Sequence, residues 1–318
     1  MQTDKTSALE IVRYTADQAE TWNAVVARSR NGTFLVDRAY MDYHSDRFQD
    51  CSFLVLRKNK VEAVIPGNQR ENIFYSHQGL TYGGVISTEH LSAVEMLEVF
   101  GLLNERLRLE GCSAVVYKPV PAIYHRLPTE EDLYALFRSG AKLISRQISS
   151  AIIQDRKIPF IESRKSGIRK AVRTGVNVCE SADFNAFWAI LEAVLLSRHG
   201  TKPVHSREEI ELLRRHFPER IKLHVATAAG TVLAGAVMYV SERVAHVQYI
   251  GAGEEGKRCG ALDLLFDRLI NSVYASVPVF EFGVSTEQGG AVLNEHLIFQ
   301  KEGFGGRGVV YDAYEYAL

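Results

Sequence analysis

The feature that most constrains the fold is an order of elements that occurs twice along the chain. Residues 51–67 read as two strands joined by a polar turn, and residues 221–241 repeat this pattern about 170 positions later. A short aromatic strand that runs into glycines comes next in each half, at 74–86 and at 245–253. The repeat indicates that each half folds around a hairpin and its neighbouring strand.

The rest of each half continues the match. An amphipathic helix is predicted at 92–111 and again at 261–276, because leucine and phenylalanine recur there at helical spacing. Each half then has another strand and a helix that ends in glycine, at 132–143 and 293–306. Five matched elements at a nearly constant offset favour duplication over a chance order. We therefore expect an α/β fold with α+β mixed sheets, built as tandem duplicated domains that pack together.

The length of the chain also favours two domains, since 318 residues exceed what one hydrophobic core usually organises. We predict an N-terminal domain at 1–155 and a C-terminal domain at 156–318 that carries the active site. The formal net charge is −1, so no global basic field is present to attract DNA. No apolar run approaches the roughly 18 residues of a membrane span, and the N-terminus lacks a secretory pattern. These features predict a cytoplasmic protein.

The cysteines argue against a metal centre. All four are widely scattered, at Cys51, Cys112, Cys179 and Cys259, without the close pairs that structural zinc sites use. We expect no bound metal and no disulfide framework.

Polar residues gather where the strand ending at 284 meets the next helix. Strand alternation places Glu281 on one face and Phe282 on the other. Ser285 and Glu287 follow at the carboxyl end of this strand, where such sheets usually bind ligands. Glu287 is our candidate general base, whereas Ser285 could equally cap the helix or close the turn.

A second candidate region is the glycine-rich stretch before the helix at 261–276. A helix start exposes unpaired N–H groups that attract phosphate. Lys257 and Arg258 would add positive charge to this site. Gly253, Gly256 and Gly260 are then candidate phosphate-binding residues, or simply turn residues.

Two basic segments precede this region. The stretch 197–206 predicts either a hydrogen-bonding loop for an anionic acceptor or an ordinary solvated loop, and its histidines lack metal-ligand spacing. In the stretch 163–176, Arg169 and Arg173 share one helical face that could hold phosphates or simply be solvated. No aromatic residues are interleaved there to stack on RNA bases.

Several stretches together resemble the FemAB-like acyltransferases, a branch of the GNAT superfamily in which two acetyltransferase-like domains share one chain. The stretches are IRKAVRTGVNV, RHGTKP, GALDLLFDRLI, EFGVSTE and LNEHLIFQKEGFGGR. The resemblance implies an N-acyltransferase that moves an acyl or aminoacyl group to an amine on a cell-envelope or polysaccharide precursor. It implies acyl-CoA or aminoacyl-tRNA as co-substrate, no tightly bound cofactor, a small-molecule or lipid-linked acceptor and tRNA as a possible partner.

The resemblance also implies roles for particular residues. Backbone N–H groups at Gln248, Tyr249 and Ile250 would stabilise the oxyanion of the transferred group. The position of the usual GNAT tyrosine acid is Phe299, so Lys301, a water or the substrate amine must handle the proton. We assign acceptor binding to Arg198, His199, Lys202, His205, Glu281, Ser285, Asn294 and Arg307.

Two alternatives to an enzyme remain at this point. A non-catalytic GNAT-like module would bind a phosphorylated sugar or coenzyme without transferring anything, as Phe299 suggests. An RNA-binding protein would use the basic face at 163–173.

Overall fold

A computed structural model describes residues 9–318, apart from the side chains of Arg198 and His199. The fold divides into two compact units. The first comprises the chain up to Gln147 together with Gly289–Ala291 and Val310–Leu318, and the second comprises Ile148–Gln288 and Val292–Val309. The division falls inside a strand, whereas the sequence pattern places it after residue 155.

The first unit is built from helices and two groups of strands. Its helices are α1 (Ala19–Arg28), α2 (Arg38–Met41), α3 (Ala93–Leu109) and α4 (Glu131–Arg138). Its strands are β1 (Leu9–Arg13), β2 (Phe53–Arg57), β3 (Lys60–Ile65), β4 (Asn68–Arg70), β5 (Ile73–Tyr75), β6 (Ile86–Ser87) and β7 (Ala114–Tyr117). The order β1-β2-β3-β6 forms an antiparallel sheet, and β5 pairs in parallel with β7.

Helix α3 organises the core of this unit. It begins at a capping box in which Ser92 and Glu95 satisfy each other's backbone N–H groups. Its apolar face, which includes Phe100 and Leu103, packs in one buried cluster with Phe53 of β2. Burying a side chain of this size stabilises the fold by about 1.5–3 kcal/mol.

The second unit contains the remaining helices and strands. Its helices are α5 (Glu162–Arg173), α6 (Asn185–His199), α7 (Arg207–His216), α8 (Glu254–Cys259), α9 (Ala261–Arg268) and α10 (Glu295–Glu302). Its strands are β9 (Asn177–Ser181), β10 (Ile221–Ala228), β11 (Thr231–Val240), β12 (Val244–Ala252), β13 (Val279–Val284), β14 (Thr286–Glu287) and β15 (Val292–Leu293). Two long strands, β8 (Lys142–Ile153) and β16 (Arg307–Ala317), contribute residues to each unit.

The sheet of the second unit runs in the order β8-β13-β12-β11-β10-β9. All neighbours are antiparallel except β12 and β13, which are parallel. Helix α9 covers one face, where Phe266 packs edge to face against Phe280 and Phe282 of β13. Helix α6 lies on the opposite face, because Phe187 packs over Gly235 and Gly251. Strand β11 is thus packed between helices α9 and α6.

The order of elements predicted from the sequence recurs in both units. Each has a β-hairpin, β2–β3 in the first and β10–β11 in the second. Each then has a central helix, α3 or α9, and a further helix, α4 or α10. Helix α9 continues through a π-helical turn to Val273.

Candidate active site

Strands β12 and β13 pair over three residues and then separate. Their parallel register runs from Val244 opposite Val279 to His246 opposite Glu281, the last pair among the described residues. Gly283 then adopts a left-handed conformation (φ +76°) that turns β13 out of line. Its N–H donates to the Glu281 carboxylate at 2.8 Å instead of to a neighbouring strand. A gap therefore opens between the two strands.

The other edge of β12 stays closed. Its pairing with β11 continues to Ala252, with one bulge at which Gln248 has no partner opposite it. Residues 247–251 thus have one paired edge and one edge that faces the gap. Because backbone groups alternate between the two edges of a strand, some N–H groups of this segment point into the gap.

Lys301 of α10 stabilises the turned end of β13. Its Nζ donates to the carbonyl oxygens of Gly283 at 2.7 Å and Val284 at 2.8 Å. Both carbonyls lie where β13 has left its regular pairing, so the ammonium replaces missing ladder bonds. Burial lowers the pKa of Lys301 to about 8, although the nearby charge of Glu281 acts in the opposite direction.

A fully buried carboxylate lies at the point where the strands part. Glu281 is 0% exposed. One carboxylate oxygen accepts hydrogen bonds from Ser149 Oγ and from the N–H of Gly283, and the other contacts Nδ1 of His246. The carboxylate is therefore held by three partners from β8, β12 and β13 itself.

A small apolar pocket occupies the α9 side of the gap. It has room for about one water molecule. Val247 and Ile250 of β12 line one side and Phe282 of β13 the other. Lys301 supplies a charged group at the boundary of this otherwise largely apolar space.

On the α6 side, Tyr249 fixes the middle of β12. Its hydroxyl lies 2.6 Å from Nδ1 of His205 and also accepts the His205 N–H at 3.2 Å. Its ring packs edge to face against Trp188 of α6. Burial raises the pKa of Tyr249, which keeps the phenol protonated. His205, predicted as an acceptor ligand, thus anchors the α6–α7 loop to β12.

The predicted phosphate site is the short helix α8 rather than an open loop. Gly253 is its N-cap residue, and Glu254 and Glu255 occupy its first turn. Lys257 forms an ion pair with Glu254, and Arg258 forms one with Glu255 at 3.4 Å. Two carboxylates at a helix start disfavour an anion there, so α8 as folded offers no electropositive cradle.

Two glycines of this region are required by packing. A Cβ on Gly256 would overlap the carbonyl oxygen of Leu233, and one on Gly260 would overlap the carbonyl of Gly167 in α5. Gly260 also adopts a left-handed conformation (φ +80°) between α8 and α9. Helix α5 packs closely on this junction, and Arg164 is bonded to Asp263 of α9 at 2.7 Å.

The turn after β13 holds Glu287 and Asn294 together. Asn294 caps α10 by accepting the Leu297 N–H at 3.0 Å, and its amide donates to Glu287 at 2.9 Å. Glu287 lies in the two-residue strand β14 and is exposed. Asn294 therefore has a structural role that also orients Glu287.

The remaining predicted acceptor residues are dispersed. Lys202 is exposed in the α6–α7 loop, and Arg307 is exposed and donates to the carbonyl of Gly306. Ser285 is fully buried, and its hydroxyl has no partner among the described residues. The side chains of Arg198 and His199 lie outside the described residues.

Sequence reasoning missed two residues of this cluster, His246 and Ser149. His246 interrupts a strand of mostly buried residues, and it stands two positions after the start of β12. Glu281 stands two positions after the start of β13. That shared position is the signal that could have identified the pair.

Among residues 9–318 the structure contains neither a cluster suited to a metal ion nor a helix suited to spanning a membrane. No group of three or more histidine, cysteine, aspartate or glutamate side chains there could hold a metal ion. No helix within residues 9–318 is both long and apolar enough to cross a bilayer.

These features define a class of protein. Residues 162–288, which include β12, the gap and α9, match the family model described as an acetyltransferase (GNAT) domain. The second half of the chain therefore carries a GNAT domain, the fold of acyltransferases. No curated protein matches the chain.

Solved structures extend the likeness to both units. FemX matches with a TM-score of 0.71 at 13% identity, over 97% of each chain. A tandem GNAT protein from the clavulanic acid biosynthesis pathway matches with a TM-score of 0.53 at 11% identity, over 97% of this chain and 98% of its own. The predicted tandem GNAT-like fold and its FemAB-like arrangement are confirmed.

A third match widens the group. The C-terminal domain of a protein described as a lysylphosphatidylglycerol synthetase, from Agrobacterium fabrum, has a TM-score of 0.62 at 12% identity. The match covers 94% of this chain and 91% of that domain. At such low identity these three structures establish the fold alone.

Proposed function

We propose that the protein is an N-acyltransferase that moves an acyl or aminoacyl group from a carrier to an amine. The observation that carries this proposal is the gap between β12 and β13 that begins after His246 and Glu281. A closed pair of strands could not admit a carbonyl group between them. This gap exposes main-chain donors of a strand that is rigid on its other edge.

The gap suits the oxyanion that forms during acyl transfer. When an amine attacks a carbonyl carbon, negative charge develops on the oxygen, and fixed N–H donors in a dry site stabilise it. Residues 247–251 supply such donors. The bulge at Gln248 interrupts the regular alternation of this strand, so the N–H groups before and after it point in different directions. The hydrogen bond of Tyr249 to His205 holds these donors in place before substrate arrives.

The small pocket beside the gap favours a short acyl group. Its lining by Val247, Ile250 and Phe282 suits an apolar end, and its size is near that of a methyl group. We infer that short acyl groups are transferred faster than long ones. A donor series from acetyl upwards measures this directly.

The carrier is either coenzyme A or tRNA, both of which are polyanions. We infer that its phosphates contact the outer face of α5, where Lys165, Lys170 and Arg173 are exposed. Helix α5 packs beside α8, so Lys257 and Arg258 would extend this basic surface once released from their glutamate partners. Gly253, at the start of α8, borders the same region.

For the acceptor we propose an amine on a cell-envelope or polysaccharide precursor. The support is the shared fold with FemX and with the lysylphosphatidylglycerol synthetase domain. Near the gap, the buried Ser285 hydroxyl has an unused hydrogen-bonding capacity that an acceptor could satisfy. Three other residues remain candidate contacts of the acceptor: Lys202, Asn294 and Arg307.

One observation favours a second candidate function, a non-catalytic binding module. Phe299 stands where GNAT enzymes often carry a tyrosine, and its ring is 61% exposed. Together with the paired charges on α8, this would suit a protein that binds a phosphorylated sugar or coenzyme without transferring a group.

A donor and acceptor screen separates the two functions. The purified protein is incubated with short acyl-CoA esters and with aminoacyl-tRNA, each combined with amine acceptors, and products are identified by mass spectrometry. We expect a new amide with at least one donor. Tight donor binding by calorimetry without any amide product would instead support the binding module. Mass spectrometry of ligands that co-purify with the protein narrows the donor set before the screen.

A further inference from the structure

The pair His246–Glu281 occupies the apex of the gap. The two residues are register partners on parallel strands, and their side chains therefore lie on the same face. Nδ1 of His246 contacts one oxygen of Glu281. The His246 side chain is 16% exposed, whereas Glu281 is completely buried.

The carboxylate is fixed in a single orientation. Its second oxygen accepts hydrogen bonds from Ser149 Oγ and from the Gly283 N–H at 2.8 Å. The Gly283 N–H belongs to the left-handed residue at which β13 turns. The turn that opens the gap therefore also supplies a hydrogen bond to Glu281. Glu281 can therefore neither rotate nor move away from the imidazole without breaking these contacts.

This arrangement sets the chemistry of the imidazole. A carboxylate at Nδ1 favours the tautomer that carries its proton there, which leaves Nε2 as the basic nitrogen. A base oriented by a buried carboxylate is the arrangement that activates attacking groups in many unrelated enzymes. The Lys301 ammonium is also close enough to attract the Glu281 carboxylate.

We propose that His246 is the general base that deprotonates the acceptor amine and that Glu281 is the residue that positions it. The inference rests on the proposed acyl transfer. As the amine nitrogen bonds to the acyl carbon, its proton passes to Nε2 and the carbonyl electrons move to the oxygen. The tetrahedral intermediate then collapses, the bond to the carrier sulfur or oxygen breaks, and the proton passes from Nε2 to that leaving atom.

An exposed histidine at the end of α7, His216, is the matched control, and Glu287 is the competing candidate for the base. Glu287 is exposed, and its carboxylate accepts the amide of Asn294. Replacing each candidate by glutamine removes the basic group while retaining a polar side chain. The two variants therefore differ in which base they remove.

The test compares His246→Gln, Glu287→Gln and the control His216→Gln, all with the donor and acceptor that the wild-type protein uses. We expect His246→Gln to lower kcat/KM by at least about 100-fold, the usual scale of general-base catalysis, and to abolish the acidic limb of the pH profile. The control His216→Gln should stay within about twofold of wild type with the same limb. A loss in Glu287→Gln that equals or exceeds the loss in His246→Gln would assign the base to Glu287 and overturn the inference. A His246→Gln protein that keeps at least half its activity and an unchanged pH profile overturns the inference.

The positioning role of Glu281 is tested by asking whether the kcat/KM losses of Glu281→Gln and His246→Gln add. If it acts only through His246, Glu281→Gln lowers kcat/KM in the wild-type background but adds no further loss in the His246→Gln background. The double variant carries two neutral amides in place of the buried carboxylate and its imidazole partner, so it tests activity even if a single variant does not fold. A further loss of tenfold or more in the double variant contradicts a positioning role.

The outcomes distinguish the two levels of the proposal. A wild-type protein that forms no amide with any donor contradicts the acyltransferase function itself. A wild-type protein that forms the amide while His246→Gln does so equally well contradicts only the base. Equal circular dichroism spectra and thermal midpoints confirm that the compared proteins are folded.

Discussion

The left-handed conformation of Gly283 is the local feature on which the gap depends, and Gly283→Ala tests it. A Cβ at this position would lie 3.4 Å from the carbonyl oxygen of Val247 and 3.7 Å from Cε1 of His246, which are ordinary contacts. Steric overlap therefore contributes little, and the cost comes from placing alanine at φ +76°. That cost is about 1–2 kcal/mol.

Gly230→Ala is the matched control for this substitution. Gly230 has φ +79° in the β10–β11 turn, and an added Cβ there meets nothing within 4 Å. Chemical denaturation should show that both variants lose about 1–2 kcal/mol of unfolding free energy. The acyl-transfer rate should fall about 10- to 100-fold in Gly283→Ala alone, because its methyl group borders the imidazole and the gap.

Two results would contradict this role of Gly283. If Gly283→Ala is as stable as wild type, the left-handed residue does not hold the strands apart. If it is destabilised like Gly230→Ala but fully active, the gap is not where transfer occurs.

The other predictions concern two buried titrating groups, His224 and Lys301, and one helix cap, Ser206. Burial lowers the pKa of His224 to about 4 from 6.5. The unfolded chain therefore takes up the proton first, and stability should fall by about 2 kcal/mol between pH 7.5 and pH 5. His224→Gln, which can still bond to Tyr274, should remove that share of the fall in urea titrations, and an unchanged pH dependence would contradict it. Burial also lowers the pKa of Lys301 to about 8 from 10.5, so the unfolded state retains this proton longer and stability should rise by about 2 kcal/mol between pH 7 and 9.5. Lys301→Met should lose this rise, and a variant that keeps the full rise would show that another group causes it. Ser206→Ala should cost about 1 kcal/mol of stability by removing the cap of α7, measured by thermal unfolding, while leaving the acyl-transfer rate unchanged.

Local patterns predicted the elements well where packing follows them. The leucine and phenylalanine spacing of α3 is helical because that face is buried against the sheet. The hairpin β10–β11 follows from two alternating strands around a polar turn. The recurrence of these units along the chain also predicted the tandem fold.

Long-range register limited what could be predicted of the site. The pair His246–Glu281 joins strands that are separated in sequence by α8 and α9, and local patterns do not fix a parallel register across such a crossover. The glycines around α8 have a different difficulty. Gly256 and Gly260 fit a phosphate loop by composition, but close contacts with Leu233 and Gly167 explain them by packing.

Lys301 shows that a residue can be singled out from the sequence without its contacts being foreseen. The sequence suggested it as a proton carrier because Phe299 has no proton to give. The structure places its ammonium on the carbonyls of Gly283 and Val284, where it supports the turned strand. A role in proton transfer stays a prediction.

The most direct measurement is a crystal structure of the protein with both the acceptor and an unreactive analogue of the donor that the screen identifies. We predict that the acyl carbonyl oxygen lies between β12 and β13, about 3 Å from a backbone N–H of residues 247–251. We also predict the acceptor amine within hydrogen-bond reach of Nε2 of His246. If the analogue binds with its acyl group elsewhere and the open edge of β12 stays unoccupied, the proposed oxyanion site between β12 and β13 is wrong.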